Sequence, residues 1–207
     1  MSEQAEVFQT VARAVRVKVP VGLCRFFASV KEVQTEEEAR QFIAEVSAEM
    51  PDATHHAWAF RIGSREQAIA RSSDAGEPAN TAGPPMLQAI EGAGLTNVVV
   101  VGTRYFGGVK LGVGGLIRAY RDCAQAGLQE AGVRTEVLMQ EVRVYQVDYA
   151  VLGDVLREIE SQKGSILGIE YGQTVTIHAA IRPALREALQ GRIADITRGQ
   201  GQLEVVA

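Results

Sequence analysis

The sequence predicts an α+β protein of two domains, with a boundary near Glu136. Three observations lead there. Val15, Val17 and Val19 alternate with Arg16 and Lys18, the period of a half-buried strand. Val98–Val101 is a short, wholly apolar run, the mark of a strand buried on both faces. Beyond residue 137 the pattern becomes strand, helix, strand, strand, helix, strand, which is the split βαββαβ unit of ferredoxin-like domains. The expected domains are therefore 1–136 and 137–207.

In chain order, the first strand, around Val15–Val19, turns at Pro20 and Gly22 into a partner over Cys24–Val30. Thr35 followed by Glu38 forms a capping box. Ala39, Phe42, Ile43, Val46 and Met50 then recur at helical spacing, and Pro51 stops the helix. Thr54–Ile62 alternates, with His56, Trp58, Phe60 and Ile62 on one face and His55, Ala57, Ala59 and Arg61 on the other. Residues 72–85 are so rich in Asn, Gly, Pro and Ser that they predict a loop, with a short helix starting near Pro85. A strand over Asn97–Thr103 leads into a glycine-rich segment, residues 105–115, whose glycine density predicts irregular backbone. A helix is expected from Leu116 to about Glu130, with Leu116, Tyr120, Cys123, Gly127 and Leu128 inward and Arg118, Arg121, Asp122 and Gln125 outward. The second domain is expected to have strands at Gln140–Val147, Gly164–Tyr171, Gln173–Ile181 and Gln202–Val206, and helices at Val151–Ser161 and Pro183–Thr197.

Hydrophobic residues make up 46% of the chain and charged residues 22%, which argues against disorder. No apolar run approaches membrane-spanning length, and Met1–Gln9 lacks the charge and hydropathy pattern of a signal peptide, so a cytoplasmic protein is expected. The net charge is −4, shared equally by the two expected domains, so bulk attraction to nucleic acid is not indicated. Cys24 and Cys123 are distant and lie in apolar surroundings, as reduced core thiols do; a metal site would need more ligands at shorter spacing.

Two loops could carry function. The order strand, glycine-rich loop, helix places backbone N–H groups at a helix N-terminus, where an anion is favoured. Lys110 sits inside the loop, Arg104 at its entry, and Arg118 in the first turn of the expected helix. The Walker pattern fails, because Leu116-Ile117 stands where Lys-Ser/Thr is required, and the dinucleotide pattern fails at Ile117. An anion cradle and a tight helix–sheet connection both remain open for this loop. The other loop carries Asp74 and Glu77, which could serve acid–base chemistry, bind a metal, or simply fix turns and pair with arginine. No activated nucleophile stands out.

The stretches Asp74-Ala75-Gly76-Glu77-Pro78 with Thr81-Ala82-Gly83-Pro84-Pro85-Met86-Leu87, and Arg104-Tyr105-Phe106-Gly107-Gly108-Val109-Lys110-Leu111-Gly112-Val113-Gly114-Gly115-Leu116 continuing to Ala119-Tyr120, closely resemble the two signature motifs of the IMPACT/YigZ family. The resemblance covers residues up to about 136, with weaker echoes at Arg25-Phe26 and Ala53-Thr54-His55. It implies a first domain like the second domain of a small-subunit ribosomal protein and a second domain like the last domain of the translocation elongation factor. It also implies a role in translation, since eukaryotic relatives regulate initiation under amino-acid starvation by binding a ribosome-associated protein. This chain departs from the pattern at Ala75, where a second Asp is frequent, at Asn80, where Gly is frequent, and at Gly22-Leu23-Cys24, where lysine and serine are common.

The leading expectation is thus a non-catalytic regulator of translation and stress response, without cofactor or metal, whose partner is a ribosome-associated protein or RNA. Two alternatives stay open: a kinase or hydrolase that uses the glycine loop, and a plain protein-interaction module. The candidate ligand- or partner-binding residues are Asp74, Gly76, Glu77 and Thr81 in one loop, and Arg104, Tyr105, Gly107, Gly108, Lys110, Gly112, Gly114, Gly115, Arg118 and Arg121 in and after the other. The two loops are expected to lie side by side, with Asp74 and Glu77 facing Arg104, Lys110 or Arg118. The oligomeric state is left open.

Overall fold

The computed structural model describes residues 7–63 and 68–206. The start of the polar Met1–Gln9 stretch therefore lies outside the described residues, as do the outermost positions of both expected domains. The described chain divides into two compact units, one over Phe8–Glu136 and one from Val137 onward.

The first unit is built on a five-stranded antiparallel sheet of β2 (Val15–Val21), β3 (Cys24–Glu32), β4 (His55–Ile62), β5 (Ile69–Ser73) and β6 (Val98–Tyr105), in the order β2-β3-β6-β4-β5. β6 occupies the middle. Val98 and Val100 face a core shared with α2 (Gly83–Gly92) and α3 (Gly112–Ala131), while Val99 and Val101 face α1 (Glu36–Glu49). Full burial of each such valine contributes roughly 1.5–3 kcal/mol. The face assignment along β4 follows the alternation: Trp58, Phe60 and Ile62 meet α1, and Ala57 and Ala59 meet the opposite core. α1 starts as its capping box requires, with Thr35 accepting from the Glu38 N–H at 3.2 Å; the Glu38 carboxylate reaches back one residue further, to the Gln34 N–H at 2.7 Å.

Three strands of five residues each escape the sequence. β1 (Val7–Val11) pairs with β7 (Val133–Val137) in a separate two-stranded sheet, and β5 extends into Ser72 and Ser73, inside the segment expected to be loop. α2 starts at Gly83 rather than near Pro85. The larger correction is α3, which begins at Gly112 and so takes Gly112, Gly114 and Gly115 into its first turn. Gly112 opens the helix at φ 71, where glycine is favoured, whereas Gly114 and Gly115 each cost about 1 kcal/mol in a helix. The buried face of this long helix, running from Leu116 through Tyr120, Cys123 and Leu128 to Ala131, outweighs that local preference.

The second unit comprises β8 (Gln140–Val147), α4 (Leu152–Ser161), β9 (Ser165–Tyr171), β10 (Val175–Ile181), α5 (Arg186–Ile196) and β11 (Gln202–Val205), with a short 3-10 turn at Pro183–Leu185 in place of the first turn expected for the last helix. Its antiparallel sheet has the order β11-β8-β10-β9. That is the ferredoxin-like arrangement, in which the first and third strands lie inside. Val142, Val144, Ile177, Ala179 and Ile181 pack against Val155, Ile159, Leu189 and Ile193 of the helices.

Candidate functional site: two loops at one end of the first sheet

The loop between β5 and α2 is organised by Asp74. Its Oδ2 accepts from the Asn80 N–H at 2.8 Å, and its Oδ1 accepts from the N–H groups of Ala82 at 2.8 Å and Gly83 at 2.9 Å. The last two are donors at the start of α2, whose N-cap, Ala82, has no polar side chain to satisfy them. Asp74 is therefore a remote helix cap with both oxygens engaged. Thr81, buried, closes the turn by donating its hydroxyl to the Pro78 carbonyl at 2.7 Å. Gly83 is required by contact: a Cβ there would lie 2.7 Å from the Ser73 backbone. Gly76 lies against the ring of His55, whose Nδ1 is 3.0 Å from the Ala75 carbonyl.

Glu77 leaves this loop and enters the interior. Its side chain is 2% exposed, and that of its partner Arg104, at the end of β6, is 7% exposed. Arg104 Nη1 donates to both Glu77 oxygens, at 2.8 and 3.0 Å. The Tyr120 hydroxyl, from α3, donates to Glu77 Oε1 at 2.8 Å. Burial, and after it the negative charge of Glu77, push the Tyr120 phenol far above its usual pKa, so it remains a neutral donor. Arg104 Nη2 donates to Cys24 Sγ at 3.7 Å, and the Gly107 N–H donates to the same sulfur at 3.4 Å. The guanidinium also lies over the rings of Phe26 and Phe106, 5.8 and 5.5 Å from their centroids, while its buried Nε has no hydrogen-bond partner among the described residues. Residues from four separate segments thus converge on one buried ion pair. The other thiol, Cys123, is only packed, and burial pushes it up to about 12.

The glycine-rich segment lies directly on the β2–β3 turn. A Cβ at Gly107 would be 2.1 Å from the Leu23 carbonyl oxygen, so only glycine allows the approach. Tyr105 is held by its hydroxyl, which donates to Asp52 Oδ1 at 2.9 Å, and the Phe106 N–H donates to Thr54 Oγ1 at 3.0 Å. From there the chain turns outward. Gly108, Lys110, Gly112 and Gly114 are exposed, Gly115 is half-buried, and no side chain caps the N-terminus of α3. Arg118 is exposed and lies along the first turn, near Gly114. Arg121 is exposed and lies 3.6 Å from Asp122.

The two loops therefore meet, and among the expected charged pairs of the described residues it is Glu77 with Arg104 that joins them. Asp74 faces backbone N–H groups, and neither Lys110 nor Arg118 pairs with any carboxylate of the described residues. His56, on the other face of β4 from His55, contacts Thr103 Oγ1 at 3.1 Å. Among the described residues no three His, Cys, Asp or Glu side chains gather as a metal-holding group. Sequence reasoning missed two participants. Tyr120 was placed only as part of an apolar face, and Cys24 only as a core thiol; its polar neighbours come from β6 and beyond, far along the chain.

Comparison with known proteins follows the same division. The model of the Impact N-terminal domain matches residues 23–128, and a domain of unknown function, DUF1949, matches residues 146–200. The chain belongs to the IMPACT family. It is 33% identical to the IMPACT family member YvyE of Bacillus subtilis over 94% of this chain and 89% of that one. It is 32% identical to the IMPACT family member YigZ of Escherichia coli, over 93% of this chain and 94% of that one. A crystal structure described only as that of a hypothetical protein matches at a TM-score of 0.74 and 31% identity, over 98% of each chain. In this IMPACT chain the glycine-rich signature and the Asp74–Leu87 signature are the two loops joined by the Glu77–Arg104 pair.

Proposed function

We propose that this chain is a non-catalytic, cytoplasmic regulator of translation that acts by binding a component of the translation apparatus through the loop end of its first sheet. The observation that carries this reading is the engagement of the site's polar groups. Asp74 is occupied as a helix cap, and the Glu77 carboxylate is engaged in the interior by Arg104 and Tyr120. Acid–base or hydrolytic chemistry needs such groups presented to a substrate. The N-terminus of α3 is flanked by the exposed side chains of Val109 and Val113, poor company for a nucleotide phosphate. What the loops present outward is backbone, aliphatic surface and the cations Lys110 and Arg118, which pair with no carboxylate among the described residues, the material of an interface. The family resemblance supplies the link to translation.

Co-sedimentation with ribosomes from a lysate tests the reading. Association should be saturable, and it should weaken in a Lys110→Ala/Arg118→Ala variant that keeps the wild-type melting temperature. Saturable ATP turnover abolished by Lys110→Ala would overturn the non-enzymatic reading.

A further inference from the structure

Leu23, Phe106, Val109 and Val113 are exposed by 72%, 47%, 57% and 60% of their surface. Four large apolar side chains left in water at one place form the kind of patch that marks an interaction site. They are neighbours by construction. Leu23 is the tip of the β2–β3 turn, whose carbonyl packs on Gly107; Phe106 precedes that glycine, and Val109 and Val113 follow it into α3. The platform is also held in place beforehand. Phe106 is fixed by its N–H to Thr54 and by the guanidinium of Arg104, which Glu77 and Tyr120 anchor from below. A surface ordered in advance loses less entropy on binding.

Its charge is set apart from that of the whole molecule. The chain is net negative, yet between Arg13 and Lys31, and again between Arg104 and Arg121, every charged residue is a cation. On the platform, Lys110 and Arg118 are exposed and have no carboxylate partner among the described residues, and they lie beside the positive end of α3, which no described side chain caps. Aliphatic groups flanked by unpaired cations suit a protein segment better than RNA. Leu23, Val109 and Val113 offer no face for base stacking, the one platform ring, Phe106, is already engaged by the Arg104 guanidinium, and two cations release few counterions from a phosphate backbone.

We infer that this platform docks an acidic, leucine-rich amphipathic helix of a partner protein, its apolar side chains on Leu23, Val109 and Val113 and its carboxylates on Lys110 and Arg118. This rests on the binding reading above and names the partner's chemistry. The test uses the full chain and a fluorescent peptide of about 18 residues, long enough to hold a helix, with leucines at helical spacing flanked by glutamates. A lysine-flanked version of that peptide and a single-stranded RNA of similar length serve as competitors. Fluorescence anisotropy should show saturable binding of the acidic peptide only, weakened by about tenfold or more in Leu23→Ser/Val113→Ser and in Lys110→Glu, with melting temperatures unchanged. Preference for the lysine-flanked peptide, or for RNA, would overturn the proposal, as would unchanged affinity in Leu23→Ser/Val113→Ser. Ribosome co-sedimentation run in parallel separates the two levels. Ribosome association untouched by Leu23→Ser/Val113→Ser sinks the platform and leaves the translation reading standing. Peptide binding without any ribosome association does the reverse.

Discussion

Glu77 and Arg104, 27 positions apart in the chain, meet at 2.8 Å, almost entirely out of water. A buried pair is weak as a net source of stability, because both ions lose their hydration. Breaking it is another matter. Glu77→Gln should leave the Arg104 guanidinium buried without a counter-charge and cost about 3–5 kcal/mol. Tyr120→Phe should cost about 1–3 kcal/mol by removing one donor to the carboxylate. Urea denaturation checks both, and the double variant should lose less than the sum, because the second change acts on a network already broken.

Ala75 stands at φ 47, in the left-handed region that L side chains avoid. Its carbonyl is held by His55, so the turn is retained at a local cost. Ala75→Gly should therefore stabilise the protein by roughly 1 kcal/mol, the relief of strain exceeding the added freedom of the unfolded chain. A lower urea midpoint than wild type would show that Ala75 is not strained. Asn80, at φ 62, already has a side chain that tolerates this region, so Asn80→Gly should change little.

The pKa of His56 lies below the usual histidine value because burial disfavours its charged form; a hydrogen bond involving the Met50 backbone opposes the shift, and the neighbouring His55 adds to it. A depressed folded-state pKa means that the unfolded chain takes up the proton first. The stability contribution is complete above the ordinary histidine pKa of about 6.5 and is lost as pH falls below it through the folded value. Stability measured by denaturant between about pH 7.5 and about pH 5 should fall on acidification. In His56→Gln, which can keep a contact with Thr103, that fall should be shallower.

Long elements were legible because one physical signal dominated each. The alternation of β2, the capping box and apolar spacing of α1, and the valine run of β6 all follow from burial pattern alone. β1, β5 and β7 are five residues each, too short for a period to register, and β1 and β7 pair across nearly the whole unit. At α3 the intrinsic preference of glycine pointed the wrong way, and tertiary packing of the face behind it decided the start. Within the loops, a Glu77 contact with arginine could be anticipated from charge. The hydroxyl of Tyr120 could not, because an inward aromatic residue gives no sign in sequence of what its polar tip will meet. Nor could the exposure of Leu23, Val109 and Val113, which by residue type alone would be assigned to the core.

The central position of β6 has a consequence for how the protein is made. Synthesis runs from the N-terminus, so β2 with β3 and β4 with β5 emerge as two separate antiparallel pairs well before the strand that joins them. Until residue 105 has left the ribosome, β3 and β4 each carry an open, apolar edge with no partner, the situation in which nascent chains associate wrongly. The insertion of β6 then closes both edges at once and brings Arg104 to Glu77, while the platform waits for α3, which follows and adds Val113 and the Tyr120 hydroxyl.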